Sequence, residues 1–168
     1  MATDQGLMRV GAGAGFSLLE ILIVVAVLGI AALTIVPTFL SHNDEQKIML
    51  AANEIQNALR YAREMAVRDH RSKEVKFDTD NESLQVIDAV SSTPETDPSR
   101  KGDYRLDFPS NSLLAGVDIV SVGSVTGIIT VTFLATGQPD AANTIVLSYG
   151  PHSRVVTVDE FTGRTWVQ

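Results

Sequence analysis

Glu20 is the only charged residue in an apolar run over residues 16–40, FSLLEILIVVAVLGIAALTIVPTFL. A carboxylate among apolar groups is disfavoured, by about 2.5–3.5 kcal/mol for a charge at the centre of a bilayer on insertion scales. The other residues able to do chemistry are dispersed. His42, His70 and His152 lack metal-ligand spacing and read as surface residues. Asp78, Asp80 and Glu82 suggest a calcium loop, but an EF-hand needs glycine where Ser83 stands and glutamate where Ala89 stands. The same DTDNE segment reads better as a hairpin turn. GAGAG at 11–15 follows no strand, and Phe16 occupies the place of the last glycine of a dinucleotide fingerprint. There is neither a G-x-S-x-G nor a Walker sequence. With no nucleophile–base pair, the sequence points away from an enzyme, and no metal or cofactor is expected.

Bulk properties narrow the class further. The 168 residues suit one domain with an appendage. A net charge of −7 argues against a general nucleic-acid coat, which needs a basic footprint. Cysteine is absent, which removes disulfides, thiolate chemistry and cysteine zinc sites.

What positions Glu20 is the apolar run, long enough for a transmembrane helix of about 20 residues. Three readings compete. A secretory signal cut near Gly29-Ile30-Ala31 would remove the run, a plain transmembrane anchor would keep it, and neither accounts for Glu20. The third rests on Gly15-Phe16-Ser17-Leu18-Leu19-Glu20, which resembles the processing site of the type IV pilin class. The resemblance implies that prepilin peptidase cuts between Gly15 and Phe16 and that Phe16 is then N-methylated. Residues 1–15 would be the leader, with Met8 as an alternative start, and the apolar segment would stay on the mature chain. Arg9 agrees with positive charge on the cytoplasmic side. The new α-amine, with a reference pKa of about 8, is mostly cationic at neutral pH. Glu20 then pairs either with the amine of its own chain or with that of a neighbouring subunit, and the family resemblance favours the neighbour.

Pro37 removes a helix hydrogen bond and clashes with the carbonyl of Leu33, so a kink or local melting is expected there. Pilin helices bend or unwind at this distance from the cut; the alternative is a membrane helix that ends at Pro37. Beyond it, Ile48, Ala51, Ile55, Ala58, Leu59, Ala62, Met65 and Ala66 form one stripe, the mark of a half-buried helix. Asn43 or Asp44 would cap it if the helix restarts. Arg68, Arg71 and Lys73 suit the helix dipole and read as solvated helix-end charges rather than a ligand patch. The segment AANEIQNALRYAREMAVRDHRSK, residues 51–73, is similar to the opening of the GspH/FimT group of minor pseudopilins and minor pilins.

After residue 73 the period becomes strand-like. Strands are expected at 74–77, 84–90, 104–108, 117–122, 128–133, 144–149, 154–158 and 164–167, with a polar surface loop over 91–103 and turns at 137–140 and 161–163. The segments TFLATG at 132–137, RVVTV at 154–158 and TGR at 162–164 follow the order of the GspH/FimT head. The resulting expectation is an α+β, pilin-like fold: a long N-terminal helix, transmembrane over 16–40 and amphipathic over 41–73, packed on an antiparallel β-sheet head over 74–168.

The resemblance implies a minor pseudopilin or minor pilin that assembles at the tip or initiation of a pseudopilus or pilus. Expected partners are other minor and major pseudopilins or pilins, prepilin peptidase, the inner-membrane assembly platform and the membrane itself. The expected location is the bacterial inner membrane, single-pass, with the head in the periplasm. The alternative is DNA binding for uptake through Arg154 and Arg164, as in some FimT-like minor pilins, although Asp159 and Glu160 dilute that positive field. Glu20 and Pro37 carry the assembly role, and Gly15 and Phe16 the processing.

Overall fold

The computed structural model describes residues 17–168, with the side chains of 32–42 outside that description. The expected leader and cut site, including Gly15 and Phe16, therefore lie outside the described residues. One helix, α1 (Leu18–Asp69), opens the structure. The Ser17 carbonyl accepts the amides of Glu20 (3.0 Å) and Ile21 (3.2 Å), which places Ser17 at the N-cap. Glu20 in the first turn and Arg68 in the last complement the helix dipole. Past the end, His70 is left-handed (φ 52°) and the Arg71 amide donates to the Ala66 carbonyl at 3.2 Å, the six-to-one bond of a helix stop. α1 is one uninterrupted element: it neither melts at Pro37 nor restarts at Asn43 or Asp44.

The chain divides into two compact units, residues 1–40 and 41–168. In the first, the apolar side chains between Leu18 and Ile30 are all exposed, the large ones from 51% to 83%. The expected transmembrane helix is overturned: among the described residues, no helix is long and apolar enough to cross a membrane. The apolar stretch with described side chains, residues 18–31, extends about 20 Å at 1.5 Å per residue, against about 30 Å of hydrocarbon. With it falls the expected single-pass inner-membrane topology with a periplasmic head.

In the second unit the helical part carries the stripe. Ile48, Ala51, Ala52, Ile55, Ala58, Leu59, Ala62 and Ala66 are completely buried and belong to one core with the strands. The eight strands are β1 (Lys73–Asp78), β2 (Ser83–Asp88), β3 (Arg105–Asp107), β4 (Asp118–Val122), β5 (Ile128–Phe133), β6 (Asn143–Tyr149), β7 (His152–Val158) and β8 (Thr165–Val167). They form two four-stranded antiparallel sheets, β3-β2-β1-β5 and β4-β6-β7-β8. Alternate residues such as Val75 and Phe77, Leu84 and Val86, Ile145 and Leu147, and Val156 and Val158 face the shared core. The architecture is thus α+β, with helix packed on sheet.

The boundaries have local causes. β2 stops at Asp88, short of the expected residue 90, because the Asp88 carboxylate accepts the amides of Val90 (3.0 Å) and Ser91 (2.9 Å) and folds the chain into a turn. The DTDNE turn is made the same way, with Asp78 Oδ1 accepting the amides of Asp80 and Asn81 (both 3.1 Å). Asp159 repeats it before β8, accepting the amides of Phe161 (3.2 Å) and Thr162 (2.7 Å).

Candidate assembly surfaces

Glu20 sits three residues into α1, exposed among exposed apolar neighbours. Its carboxylate has no hydrogen bond or ion pair among the described residues. Ser17 and Glu20 stand at the spacing of a capping box, but no side-chain hydrogen bond closes it among the described residues. Pro37 lies within α1, its side chain outside the description.

In the second unit the helix is fixed to the strands by polar ties. Gln56 Nε2 donates to the Thr165 carbonyl of β8 at 2.7 Å. Lys47 lies over the Tyr149 ring at 4.7 Å. Arg63 Nε donates to the Gly137 carbonyl at 3.2 Å, and Gln138 Nε2 to the Phe161 carbonyl at 3.0 Å. Two glycines make this junction possible. A Cβ on Gly137 (φ 82°) would come within 2.8 Å of Val67 Cγ2, and one on Gly163 (φ 63°) would collide with the Gly137 carbonyl. The TFLATG and TGR segments are therefore the loops that seat the helix.

Arg154 and Arg164 are not brought together as a basic site. Arg154 donates to Glu45 at 2.7 Å and to its neighbour's carbonyl at 3.1 Å, whereas Arg164 is exposed beside Asp159. His152 is half-buried with Nε2 unpartnered, and His70 serves the helix stop.

The reading of Lys73 as a solvated helix-end charge is wrong. It is 3% exposed, begins β1 and faces Asp88 across the β1–β2 pair. Its ammonium contacts Asp69 at 3.1 Å, Asp88 at 3.0 Å and Glu95. Burial pushes the lysine pKa down, but hydrogen bonds to Glu95, Asp88 and Asp69 outweigh it and hold the group above the ordinary lysine range. The Ser91 amide and Lys73 together hold Asp88 well below the usual carboxylate range. This cluster ties down the segment 91–103, read from sequence as a plain surface loop. The Glu95 amide donates to Val86 (2.9 Å), the Tyr104 amide to Glu95 (2.6 Å), and the Tyr61 hydroxyl to Thr96 (2.7 Å). An ammonium within reach of three carboxylates left no periodic trace; only the acidic partners' distant positions hint at it.

A family model described as "Type II transport protein GspH" matches residues 51–162, more than half of the chain. The chain belongs to the GspH family. The match begins in the buried stripe of α1 and ends in the turn beside Gly163. Among solved structures, the type IV minor pilin FimU of Pseudomonas aeruginosa is similar at 21% identity and a TM-score of 0.55, covering 76% of this chain and 92% of that one. The minor pseudopilin EpsH from the Type 2 Secretion System of Vibrio cholerae is similar at 13% identity and a TM-score of 0.55, covering 73% and 96%. Likenesses at these identities speak to the fold. No curated protein matches. As a GspH-family member the chain is a pilin-like minor pseudopilin or minor pilin, a structural, non-catalytic subunit of a pseudopilus or pilus in type II secretion, working with other such subunits.

Proposed function

We propose that the exposed first part of α1 joins this GspH-family subunit to its neighbours, with Glu20 set against the α-amine of residue 16 on an adjoining subunit once residues 1–15 are removed. The observation that carries this is a carboxylate without a partner among the described residues, in the first turn of a helix whose other side chains there are apolar and exposed. Packing such a surface against another apolar helix buries the charge, and a buried charge needs a counter-charge. In this reading prepilin peptidase cuts between Gly15 and Phe16 and methylates the new terminus, an assembly platform drives addition, and the subunit acts at the tip or initiation of the filament. Pro37 shapes the same surface. No observation favours DNA binding, since Arg154 is already engaged by Glu45.

The test is Glu20→Gln in the full chain, because glutamine keeps the size and helix preference of the side chain and removes the charge. Recovery of co-expressed pilin-like subunits with the tagged chain should fall at least about tenfold, equivalent to about 1.4 kcal/mol, with the melting temperature of the chain unchanged. Wild-type recovery would rule out the pairing. Mass spectrometry of the mature terminus supplies the complementary check, with methylated Phe16 expected only when the peptidase is present.

A further inference from the structure

The two sheets end in β3 and β5 and in β4 and β8, and an edge strand carries backbone groups that need a partner from outside the ladder. The chain blunts β3, β4 and β8 by itself. β3 is three residues long and carries two charges, Arg105 and Asp107. β8 is as short, and its Thr165 carbonyl accepts Gln56 Nε2. On β4 the Ile119 amide donates to the Glu82 carboxylate, and Val122 exchanges its outward hydrogen bonds with Val125 (2.9 and 3.1 Å).

β5 is left open. The Thr79 amide donates to the Gly127 carbonyl at 3.1 Å, so the odd-numbered residues that follow direct their backbone groups to β1 and the even-numbered ones direct theirs away. On the outward side the Thr132 carbonyl accepts the Asp140 amide at 2.9 Å. The amide and carbonyl of Ile128, those of Thr130 and the amide of Thr132 have no hydrogen bond among the described residues. The strand, IITVTF, has none of the charges, prolines or bulges that protect an edge, and Ile128 is 64% exposed.

These free groups complement themselves. In an antiparallel pair centred on Thr130, each Thr130 amide meets the other copy's Thr130 carbonyl, and each Thr132 amide meets the other copy's Ile128 carbonyl. Only the Ile128 amide is left over, facing a Thr132 carbonyl that Asp140 already occupies. No charge opposes another along the seam, although each chain has a net charge of −7. We infer that two copies of this chain pair through β5 about a two-fold axis at Thr130, so that each β3-β2-β1-β5 sheet continues into the other. A strand of a different protein would need the same spacing of free groups and the same stop at residue 132, which a second copy carries by construction. The contact lies in the head and does not depend on Glu20.

Cysteine is absent from the chain, so an introduced cysteine reports only on its own neighbour. Opposed residues of a hydrogen-bonded antiparallel pair lie about 5.5 Å apart at Cα, within disulfide reach. Mild oxidation of the full chain in detergent should join Thr130→Cys to itself, and Ile128→Cys to Thr132→Cys when those two variants are mixed. Ile128→Cys alone should give at least tenfold less dimer than the mixture, because its copies stand about 13 Å apart along the seam. Adding Thr130→Lys sets like charges opposite each other and should cut the mixed product at least tenfold, with an unchanged melting temperature. Equal yields from Ile128→Cys alone and from the mixture, indifference to Thr130→Lys, or no dimer from Thr130→Cys would each overturn the inference. Capture of a different co-expressed subunit in place of a second copy would overturn it as well. Glu20→Gln should leave the cross-linking pattern intact, so failure of the helix contact and failure of the β5 contact are read separately.

Discussion

Two stretches of the same helix, residues 18–30 and residues 48–66, are both rich in apolar side chains, yet their fates are opposite. In the later stretch the apolar residues keep to one face and are completely buried against strands of the same chain. In the earlier one they occupy every face and are exposed on every face. A stripe defines a direction and is satisfied by one layer of sheet; an all-round apolar surface needs neighbours on several sides. The chain folds around the stripe and leaves the other surface exposed. The charges follow the same division, since Lys73 and Asp88 are matched within the fold whereas Glu20 has no described partner.

If the division is real, substitutions in the folded part should change stability, and substitutions in the exposed part should change assembly alone. The largest stability effect is expected for Lys73→Met, which leaves Asp69, Asp88 and Glu95 without their common cation. A loss of about 3–5 kcal/mol should be seen in urea unfolding. Acid titration sharpens the point. Asp69 and Asp88 have depressed folded-state values, so their contribution is complete above the ordinary carboxylate pKa of about 4 and disappears as pH falls through the lowered values. The native chain should therefore lose stability below about pH 4, and Lys73→Met should lose less with pH. Some acid dependence should survive in that variant, because the Ser91 amide contributes most to lowering Asp88.

A smaller effect is expected at the helix seat. Gly163→Ala forces a left-handed alanine, costing about 1–2 kcal/mol, and pushes its methyl into the Gly137 carbonyl. A total of roughly 2–3 kcal/mol, read as a lowered melting temperature, would confirm that this loop carries the helix. Smallest is Leu22→Ser, at an exposed position of the first unit. Stability should move by less than about 0.5 kcal/mol while co-isolation of pilin-like subunits weakens. A stability loss as large as that of Gly163→Ala would erase the distinction between the two stretches.

Much of the folded part was legible because its signals are local. The buried residues of α1 match the stripe read at steps of three and four, and all eight strands fall where alternation and turn residues place them. What was not legible depends on partners far apart in sequence. The division of eight strands between two sheets is set by pairings such as β1 with β5, which alternation does not encode. Lys73 was misread because its helical spacing from Arg68 and Arg71 suggested a common solvated end. The residue instead begins a strand, and its side chain meets Asp88 and Glu95 from later in the chain. The 91–103 segment has a loop's composition, but its backbone bonds to Val86, Asp88 and Tyr104 make it part of the head. In the first unit the sequence singles out Glu20 by its incongruity among apolar residues, and the structure leaves it exposed and without a described partner. The transmembrane expectation failed on the described residues, where length and apolarity fall short together.

The lysine at the start of β1 has a consequence for how the head meets changing surroundings. Where a loop's carboxylates are gathered by a dissolved ion, the order of that loop follows the ion's concentration and fails in the presence of a chelator. Here the gathering charge is covalently part of the backbone it organises, at a fixed stoichiometry of one per chain. The order of the 91–103 segment is thus drawn from the chain's own charge, with no dissolved ion to supply or withdraw.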